Sequence, residues 1–362
     1  MREIFMFWVV IIIFIIGILL AVTMNLKNKK EQGNASLVFS TGLSLVMSSS
    51  GSTLDSINYM IGMLFNREGY QQLSDNFNFW LFSLGAVLMF VSINSFMHAG
   101  SKLQILSVNA YRHSDFYLHA KDLKLDTFDY KELDLDFVYL YKDKFENTFD
   151  EEVFDTIMSI IPKKITQFQQ LTTQKGYTGI APIPFIMYIG RLLNRVRINE
   201  YYEFDRNKQK YISLSKWGCF YPRLKGLDSI QINDSSNEVV LTISITQSIR
   251  EEELVQFEGM DKVHIKVDNP SDNLIKNKKQ LKDYAVSIYQ TIEKIGKEYP
   301  NIQKIHFVCS SQSCLPLEIG KLLVEGNRIP TVICYHYNRA GQIKYPWGIV
   351  QSGNQRGRLV KA

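Results

Sequence analysis

The sequence predicts an α/β domain made of two similar units and preceded by N-terminal transmembrane helices. Three observations predict this fold class. Two apolar runs without charged residues lie before residue 100, strand-like and helix-like patterns alternate after it, and several short motifs recur in the same order about 130 residues later. Alternating strands and helices are typical of a mainly parallel sheet covered by helices.

The first apolar run extends from Ile4 to Met24 and contains no charged residue. A helix rises about 1.5 Å per residue, so roughly 20 residues cross a hydrocarbon core about 30 Å thick. The alternative is a cleaved signal peptide, which has a shorter apolar core and ends in small residues of A-x-A type. Residues 21–24 read Ala-Val-Thr-Met and match that pattern poorly, so we predict a membrane span at residues 4–24.

The second apolar run extends from Phe79 to Met97 and is also free of charge. Its serines and Asn94 make it more polar, and polar groups within a span face other helices or water. The alternative is a buried helix of a soluble core. We predict a second span at residues 79–97, within a membrane region 1–99. Residues 36–65 are apolar in short pieces interrupted by serine, which indicates a segment that lies in the bilayer or crosses it.

Charges beside the first run bear on orientation. Lys27, Lys29 and Lys30 follow it directly, and positive charge favours the cytoplasmic side. Two spans then place the C-terminal domain outside, whereas one additional crossing places it in the cytoplasm, so the number of crossings stays open. The four cysteines lack the spacing of a zinc site, which indicates reduced cysteines in a cytoplasmic domain. The net charge of +5 suits anionic headgroups or an anionic ligand.

Strand and helix patterns follow one another after residue 100. Alternation of apolar and polar residues predicts a strand at Leu133–Leu140, and helical spacing predicts a helix from Val153 that breaks at Pro162 and resumes through Leu171. Apolar residues at three- and four-residue steps predict an amphipathic helix at Asp272–Glu298. Further strands are predicted at Val239–Ile245, Val263–Val267, Ile305–Val308 and Thr331–Tyr335.

An internal repeat organises this region. Ile189–Leu193 and Ile319–Leu323 share the pattern Ile-Gly-basic-Leu-Leu at an offset of 130 residues. An aromatic residue and an arginine then align at an offset of 133 residues, Tyr202 with Tyr335 and Arg206 with Arg339. The alternative is coincidence among common residues, but the shared order favours duplication of one α/β unit. We therefore predict a connector at 100–125, a first half at 126–230 and a second half at 231–362.

Duplication predicts a ligand site between equivalent loops, because ligands bind at the carboxyl ends of strands in α/β sheets. The loop Cys309–Ser313 precedes a helix with Pro316 in its first turn, and the loop Gly179–Pro184 precedes a helix at 185–194. Helix N-termini attract anions, so we predict a phosphate-bearing ligand; the alternative is an ordinary strand-to-helix turn. The candidate ligand-binding residues in the two loops are Ala181, Pro182, Ile183, Pro184, Ser310, Ser311, Gln312 and Ser313.

Aromatic and basic residues near the strand ends complete the candidate site. Tyr202 and Tyr335 could stack on bases, while Arg206 and Arg339 could pair with phosphates. The lysines within residues 276–282 are predicted to form a solvated helix face, with contact to phosphates or lipid headgroups as the alternative.

Motif searches argue against an enzyme. The sequence contains no G-x-S-x-G, H-E-x-x-H, Walker A or zinc deaminase pattern. His306 lies in a predicted core strand, and Asp134 and Asp136 share a strand face as solvated charges. Trp217 and Trp347 are predicted to be core residues, with stacking on the bases of a ligand as the alternative. We predict no catalytic residues, no metal ligands and no resident cofactor.

These motifs resemble a known family. The segments Lys304–Leu315, Glu318–Leu323 and Val332–Tyr337 are similar to the C-terminal half of a SAVED domain, with its short strand, small-residue loop and Gly-basic-Leu helix. Ala181–Pro184 and the Gly-Arg pair at 190–191 resemble the equivalent element of the first half. SAVED domains are two fused CARF-like units, which agrees with the repeat. The loop at Cys309–Ser313 is more polar than the Ala-Pro type of the family.

The resemblance covers residues 126–353 and implies a sensor. SAVED domains bind cyclic oligonucleotide second messengers in CBASS anti-phage defence and are joined to an effector. The membrane region takes that place here, so the resemblance implies a transmembrane SAVED effector in the bacterial inner membrane, with several crossings and a cytoplasmic sensor. A cyclic oligonucleotide, with a tri- or tetranucleotide favoured, would activate it and drive homo-oligomers that permeabilise the lipid bilayer and cause abortive infection.

The same resemblance leaves two alternatives. One is a membrane-anchored sensor of cyclic oligoadenylates associated with type III CRISPR systems. The other is a membrane-tethered adaptor without pore activity. DNA is not an expected partner of any of the three.

Overall fold

The computed structural model describes residues 12, 15–23, 30–49, 78–101, 103–113, 123, 125, 130–170, 174–205, 208–218, 220–323 and 329–361. The chain forms two compact units, Met1–Lys102 and Leu103–Ala362.

The N-terminal unit is helical where it is described. Residues 15–23 are helical, and two longer helices follow, α1 at Lys30–Ser48 and α2 at Phe79–Ser101. The segment predicted as a membrane span at 79–97 forms part of α2, while most of the predicted span 4–24 and the segment 50–65 lie outside the described residues. Across the described part of the chain, no helix reaches both the length and the apolar content that a bilayer crossing requires.

Small residues bring α1 and α2 into backbone contact. A Cβ atom on Gly42 would lie 2.7 Å from the carbonyl oxygen of Gly85, and one on Gly85 would lie 2.6 Å from that of Gly42. Ser92 also donates its hydroxyl to the carbonyl oxygen of Ala35. Such contacts between small residues are typical of helices that associate in lipid. The opposite face of α2 exposes large apolar side chains, among them Trp80, Leu84, Val87, Phe90 and Val91.

The first sheet of the C-terminal unit has five strands in the order β2-β1-β3-β4-β5. The first four are parallel, and β5 is antiparallel to β4. Its strands are β1 Leu103–Asn109, β2 Tyr130–Asp136, β3 Gln174–Ile180, β4 Glu200–Asp205 and β5 Lys210–Ser213. A π-helical turn at Tyr139–Phe145 and the helices α3 Glu151–Gln169 and α4 Ile183–Leu192 accompany them.

The second sheet repeats this order and adds one strand. From the corresponding edge its order is β7-β6-β8-β9-β10-β11, again with four parallel strands before an antiparallel one. Its strands are β6 Glu238–Ser244, β7 Asp261–Lys266, β8 Lys304–Ser310, β9 Thr331–His336, β10 Trp347–Val350 and β11 Leu359–Lys361. Its helices are α5 Lys278–Glu298 and α6 Cys314–Leu322.

The repeat extends to individual hydrogen bonds. Ala110 N and Tyr111 N both donate to the carbonyl oxygen of Ile180, at 3.0 and 3.2 Å. In the second half Ile245 N and Thr246 N both donate to the carbonyl oxygen of Ser310, at 2.9 and 3.0 Å. The prediction of an α/β fold with two parallel-dominated sheets is confirmed, and it fits a duplicated unit.

Three predictions about the first half are wrong. The strand predicted at Leu133–Leu140 extends from Tyr130 to Asp136, and Tyr139–Phe145 is π-helical. The expected connector 100–125 contains β1, an interior strand whose seven residues are all buried. The expected break at Pro162 is absent, since α3 continues from Glu151 to Gln169. Proline removes one helical hydrogen bond, but the buried face of α3 outweighs that loss. Phe154, Ile157, Ile161, Ile165 and Phe168 form this face.

The two halves meet where α4 packs on α6. A Cβ atom on Gly190 would lie 2.1 Å from the carbonyl oxygen of Leu317, and one on Gly320 would lie 2.1 Å from that of Met187. Both pairs show the same reciprocal contact at the same offset of 130 residues. A pseudo-two-fold axis therefore passes between the two helices, and only glycine permits so close an approach.

Candidate functional site

The N-terminus of α6 is occupied by a carboxylate of the chain itself. The Glu203 carboxylate accepts hydrogen bonds from Ser313 N at 3.3 Å, from Cys314 N at 2.7 Å and from the Ser313 hydroxyl at 3.1 Å. Glu203 belongs to β4 in the first half and is buried. The prediction that this helix presents free N–H groups to a ligand is therefore wrong. Burial raises the pKa of Glu203, and the hydrogen bonds from Cys314 and Ser313 act against that shift.

Two other residues of the second loop hold its shape. The Gln312 amide accepts from Ile275 N at 2.6 Å and donates to Ile275 O at 3.1 Å, and its side chain is buried. The Ser310 hydroxyl lies 2.9 Å from that of Thr246 and accepts from Gln247 N at 3.2 Å. Ser310, Ser311 and Ser313 are all half-buried, and the Ser313 hydroxyl is already bonded to Glu203, so the hydroxyls of Ser310 and Ser311 are the ones of this loop that lie free of that carboxylate.

The first loop has different chemistry. Pro182 and Pro184 are buried, whereas Ala181 and Ile183 are half-buried. The carbonyl oxygen of Pro182 accepts from the first amides of α4, and that of Pro184 accepts from Gln351 Nε2 at 3.0 Å. The loop therefore offers apolar surface to a ligand where the second loop offers hydroxyls.

Both predicted stacking tyrosines lie in the interior. Tyr202 and Tyr335 are each 4% exposed and pack into clusters on the outer faces of their sheets. The Tyr335 hydroxyl lies 3.0 Å from His306 Nδ1, and the Tyr335 ring lies 5.1 Å from that of Phe257. Burial raises the pKa of both tyrosines. Stacking of either ring on a base would require these clusters to open, and that role stays a prediction.

The other residues singled out from the sequence lie partly in the core and partly on the surface. Arg339 is exposed in the turn after β9, while Arg206 lies outside the described residues. Trp347 is completely buried and His306 is buried, as predicted. Trp217 is 88% exposed, so its prediction as a core residue is wrong. The buried cysteines Cys309, Cys314 and Cys334 are free thiols, as predicted, and Cys219 lies outside the described residues.

The residues that follow β1 join the two halves at the carboxyl edge of the sheets. The Tyr111 ring lies 5.5 Å from that of Tyr141 and 6.3 Å from that of His336, which ends β9 in the second half. The Arg112 guanidinium lies 4.0 Å above the Phe204 ring. Sequence reasoning missed this segment because residues 100–125 were assigned to a connector. The apolar residues within Leu103–Val108 are the sequence signal that could have found it.

His336 stands in a closed aromatic environment. Its Nε2 lies 3.2 Å from the Tyr141 hydroxyl, and its ring lies 4.9 Å from that of Trp347. Burial lowers the pKa of His336 to about 3. The imidazole is therefore neutral at physiological pH.

Comparison with known protein families shows which family this chain belongs to. Residues 161–350, more than half of the chain, match the family described as "SAVED: SMODS-associated and fused to various effectors sensor domain". The chain belongs to the SAVED family. No protein of curated function matches the sequence.

Similar solved structures include SAVED/CARF-domain receptors called Cap4. The Acinetobacter baumannii receptor with the cyclic trinucleotide 3′3′3′-cAAA has a TM-score of 0.47 and 11% identity, over 89% of this chain and 66% of that chain. The same receptor with 2′3′3′-cAAA has a TM-score of 0.46 and 10% identity over the same shares. The Moraxella osloensis receptor has a TM-score of 0.42 and 10% identity, over 83% and 65%. The present SAVED protein thus spans about two thirds of the Cap4 chains.

One group of side chains in this SAVED protein could hold a metal ion. His113, Asp134 and Asp136 each offer a ligand atom, and these atoms lie within 4.8 Å of one another. His113 Nδ1 pairs with Asp136, and Asn109 Nδ2 donates to Asp134 Oδ1 at 3.1 Å. Burial raises the pKa of Asp134. Protein partners already hold these carboxylates, and the predicted absence of a metal site stays a prediction.

Proposed function

We propose that this SAVED protein is a membrane effector that binds a cyclic oligonucleotide, assembles into homo-oligomers and permeabilises the bacterial inner membrane. The match of residues 161–350 to a family described as a sensor domain carries the proposal. The same description states that the domain is fused to various effectors, and the proposal assigns the effector role to the N-terminal unit Met1–Lys102.

The ligand site proposed here lies at the carboxyl edges of the two sheets. The second half contributes the hydroxyls of Ser310 and Ser311 and the exposed Arg339, and the first half contributes Tyr111 and Arg112. Arginine binds phosphates strongly through charge-assisted hydrogen bonds, and hydroxyls and aromatic rings suit bases. Glu203 already holds the N-terminus of α6, so side chains rather than that helix would bind the phosphates.

Binding is tested with the full chain and a panel of cyclic di-, tri- and tetranucleotides, measured by calorimetry. We expect one tri- or tetranucleotide to bind, and we expect Arg339→Ala and Arg112→Ala each to weaken it about 10- to 100-fold, as lost charge-assisted hydrogen bonds do. Lys297→Ala in the last turn of α5 is the control and should bind normally. No binding across the panel would overturn the sensor and favour an adaptor that recognises a protein.

The same panel separates the CBASS assignment from the type III CRISPR alternative. Rings of adenylates alone and rings of mixed bases are compared at equal size. Preference for a mixed ring would favour CBASS over a sensor of cyclic oligoadenylates, whereas binding confined to homo-adenylate rings is compatible with both, since Cap4 receptors are found with cyclic tri-adenylates. Recovery of the bound ring after incubation, checked by chromatography, tests the proposal that this SAVED protein is not an enzyme.

The membrane step is supported by the apolar surface of the N-terminal unit. The outer face of α2 and helical residues 15–23 expose Ile15, Ile16, Ile18 and Leu19 together with Trp80 and Phe90. The full chain, incorporated into dye-loaded vesicles, should release dye only when the ligand that binds is present. Ligand binding without dye release would favour the tethered adaptor.

A further inference from the structure

A loop beside α5 presents two aromatic rings to solvent. In this aromatic loop, residues 215–218 and 220–222, Trp217 is 88% exposed and Phe220 is 99% exposed. Single exposed apolar residues are common on protein surfaces. Two almost fully exposed rings three positions apart are a concentrated apolar feature on an otherwise polar edge of the domain.

The start of the aromatic loop is fixed to the beginning of α5. Ser215 N donates to Lys276 O at 2.9 Å, and Lys278 N donates to Ser215 O at 3.0 Å. Gly218 packs so closely that a Cβ atom there would lie 2.2 Å from Asn277 Nδ2. The backbone on either side of Trp217 is therefore held in place, and its side chain points away from the domain.

The end of the aromatic loop is fixed as well. The Tyr221 hydroxyl donates to the Asp283 carboxylate, and the Tyr284 hydroxyl donates to the carbonyl oxygen of Pro222. Phe220 directly precedes the anchored Tyr221. The exposure of Trp217, between Ser215 and Gly218, is a property of the fold.

Basic side chains surround the aromatic loop. Five exposed cations lie on the loop, just after it or at the start of α5: Lys216, Arg223, Lys276, Lys279 and Lys282. Lys279 and Lys282 are three positions apart and therefore neighbours on one helix face. Among the ion pairs of the described residues, none includes these five cations.

We propose that the aromatic loop and the surrounding cations dock on the surface of an anionic phospholipid membrane. Tryptophan and phenylalanine rings enter the region between headgroups and acyl chains, where aromatic side chains are enriched. Lysine and arginine attract the anionic lipids of that surface. This docking surface belongs to the sensor domain and does not depend on ligand binding or on the N-terminal helices.

The chemistry of the surface favours lipid over two other partners. The cores of protein interfaces are depleted in lysine, whereas lysine flanks both rings here. Single-stranded nucleic acids bind in basic grooves with successive stacking platforms, whereas a ring that is 99% exposed has no groove wall beside it.

The test follows Trp217 in the full chain with vesicles that contain brominated lipids, which quench tryptophan emission at short range. The difference between wild type and Trp217→Phe isolates the signal of this side chain. We expect Trp217 to be quenched in vesicles containing phosphatidylglycerol and not in vesicles of phosphatidylcholine alone. Lys276→Glu/Lys279→Glu/Lys282→Glu should lower the docked-to-free ratio by at least about 100-fold.

Matched variants and competing partners complete the test. Lys294→Glu/Lys297→Glu, at the other end of α5, should quench as wild type does. Equal quenching of Trp217 in both lipids overturns the proposal. So does the absence of quenching in both lipids, provided that the near-ultraviolet circular dichroism spectrum shows that the chain is folded. Two further outcomes, measured without lipid, would overturn the proposal. A change in Trp217 emission that depends on protein concentration would indicate that a second copy of the chain binds this surface. A change on addition of a single-stranded oligonucleotide would indicate that nucleic acid binds it.

Discussion

The two halves of the sensor domain share a backbone but place an acidic side chain and a neutral imidazole at one equivalent position. Tyr202 pairs with Thr178 across β4 and β3, and Tyr335 pairs with Val308 across β9 and β8, so the next residues, Glu203 and His336, correspond. Glu203 accepts amide hydrogen bonds at the start of α6, whereas His336 contacts Tyr141 and an aromatic cluster. Duplication has kept the fold and let the chemistry of its edge diverge.

This difference shows why the two strand-to-helix loops are not interchangeable. The second loop is joined to the first half by a carboxylate, while the first loop receives an amide from Gln351. A ligand that spans both halves therefore meets hydroxyls on one side and apolar surface on the other.

The largest expected loss of stability concerns the contact that the two halves form symmetrically, through Gly190 and Gly320. Gly190→Ala and Gly320→Ala each force a methyl group against a backbone oxygen 2.1 Å away. Each should lower the free energy of unfolding by about 3 kcal/mol, in the range of overpacked cores. The measurement is denaturant titration of the full chain, followed by the emission of buried Trp347. Exposed Ser159→Ala should stay within about 0.5 kcal/mol, and a large difference between the two glycine variants would contradict the pseudo-symmetry.

The next effect tests the asymmetric contact. Glu203→Ala leaves Ser313 N and Cys314 N without their acceptor, and we expect a loss of about 2 kcal/mol in the free energy of unfolding. Glu203→Gln retains one acceptor oxygen and should lose less. Ser311→Ala, in the same loop but without a bond to Glu203, is the control for the same titration. A loss in the control as large as that in Glu203→Ala would remove the special role of this carboxylate.

The free energy of unfolding should depend on pH in opposite directions for the two equivalent residues, Glu203 and His336. The pKa of Glu203 is raised from 4.5, so its contribution to stability is present below pH 4.5 and is lost as the pH rises through the folded-state pKa. The pKa of His336 is lowered from 6.5 to about 3, so its contribution is present above pH 6.5 and is lost as the pH falls towards 3.

Substituting each residue should remove its own contribution to the pH dependence of the free energy of unfolding, and the two contributions have opposite sign. Each pH unit between the two pKa values of His336 changes the free energy of unfolding by about 1.4 kcal/mol. His336→Gln should flatten the fall on acidification, and Glu203→Gln should flatten the fall on alkalinisation. Each variant is the control for the other, measured by denaturant titration at stepped pH. Identical pH profiles for both variants would falsify the assignment.

The smallest effect concerns a link that only the first half provides. The Tyr201 hydroxyl donates to Glu318 Oε1 at 2.6 Å, whereas Cys334 occupies the equivalent position in the second half. Tyr201→Phe should lower the free energy of unfolding by about 1 kcal/mol. Tyr139→Phe, at a ring 62% exposed, is the matched control and should change little. Equal losses in the two variants would show that the bond to Glu318 adds no stability.

Local patterns predicted the second half better than the first. Strands β6, β7, β8 and β9 and helix α5 are present because their apolar residues follow strand or helix periods without interruption. The strand β1 was not predicted from the sequence. It follows α2 after a single residue, so no turn residues separate its apolar run from that of the helix.

Long-range contacts account for what the sequence could not predict at the site. The bond from Glu203 to Cys314 joins residues 111 positions apart, and no local motif marks it. Burial of Tyr202 and Tyr335 likewise depends on covering segments from elsewhere in the chain, such as Phe257 against Tyr335. The duplicated Gly-basic-Leu motif was visible, but its role as the contact between halves required the structure.

The reciprocal contact of Gly190 with Leu317 and of Gly320 with Met187 has the form of an isologous subunit interface. In such an interface one patch meets its own copy, so the two halves behave as a dimer whose subunits are covalently linked. Linkage keeps the partner at an effective concentration in the millimolar range, as for short flexible linkers. Pairing of the halves is therefore independent of protein concentration, whereas pairing of two separate chains would depend on it.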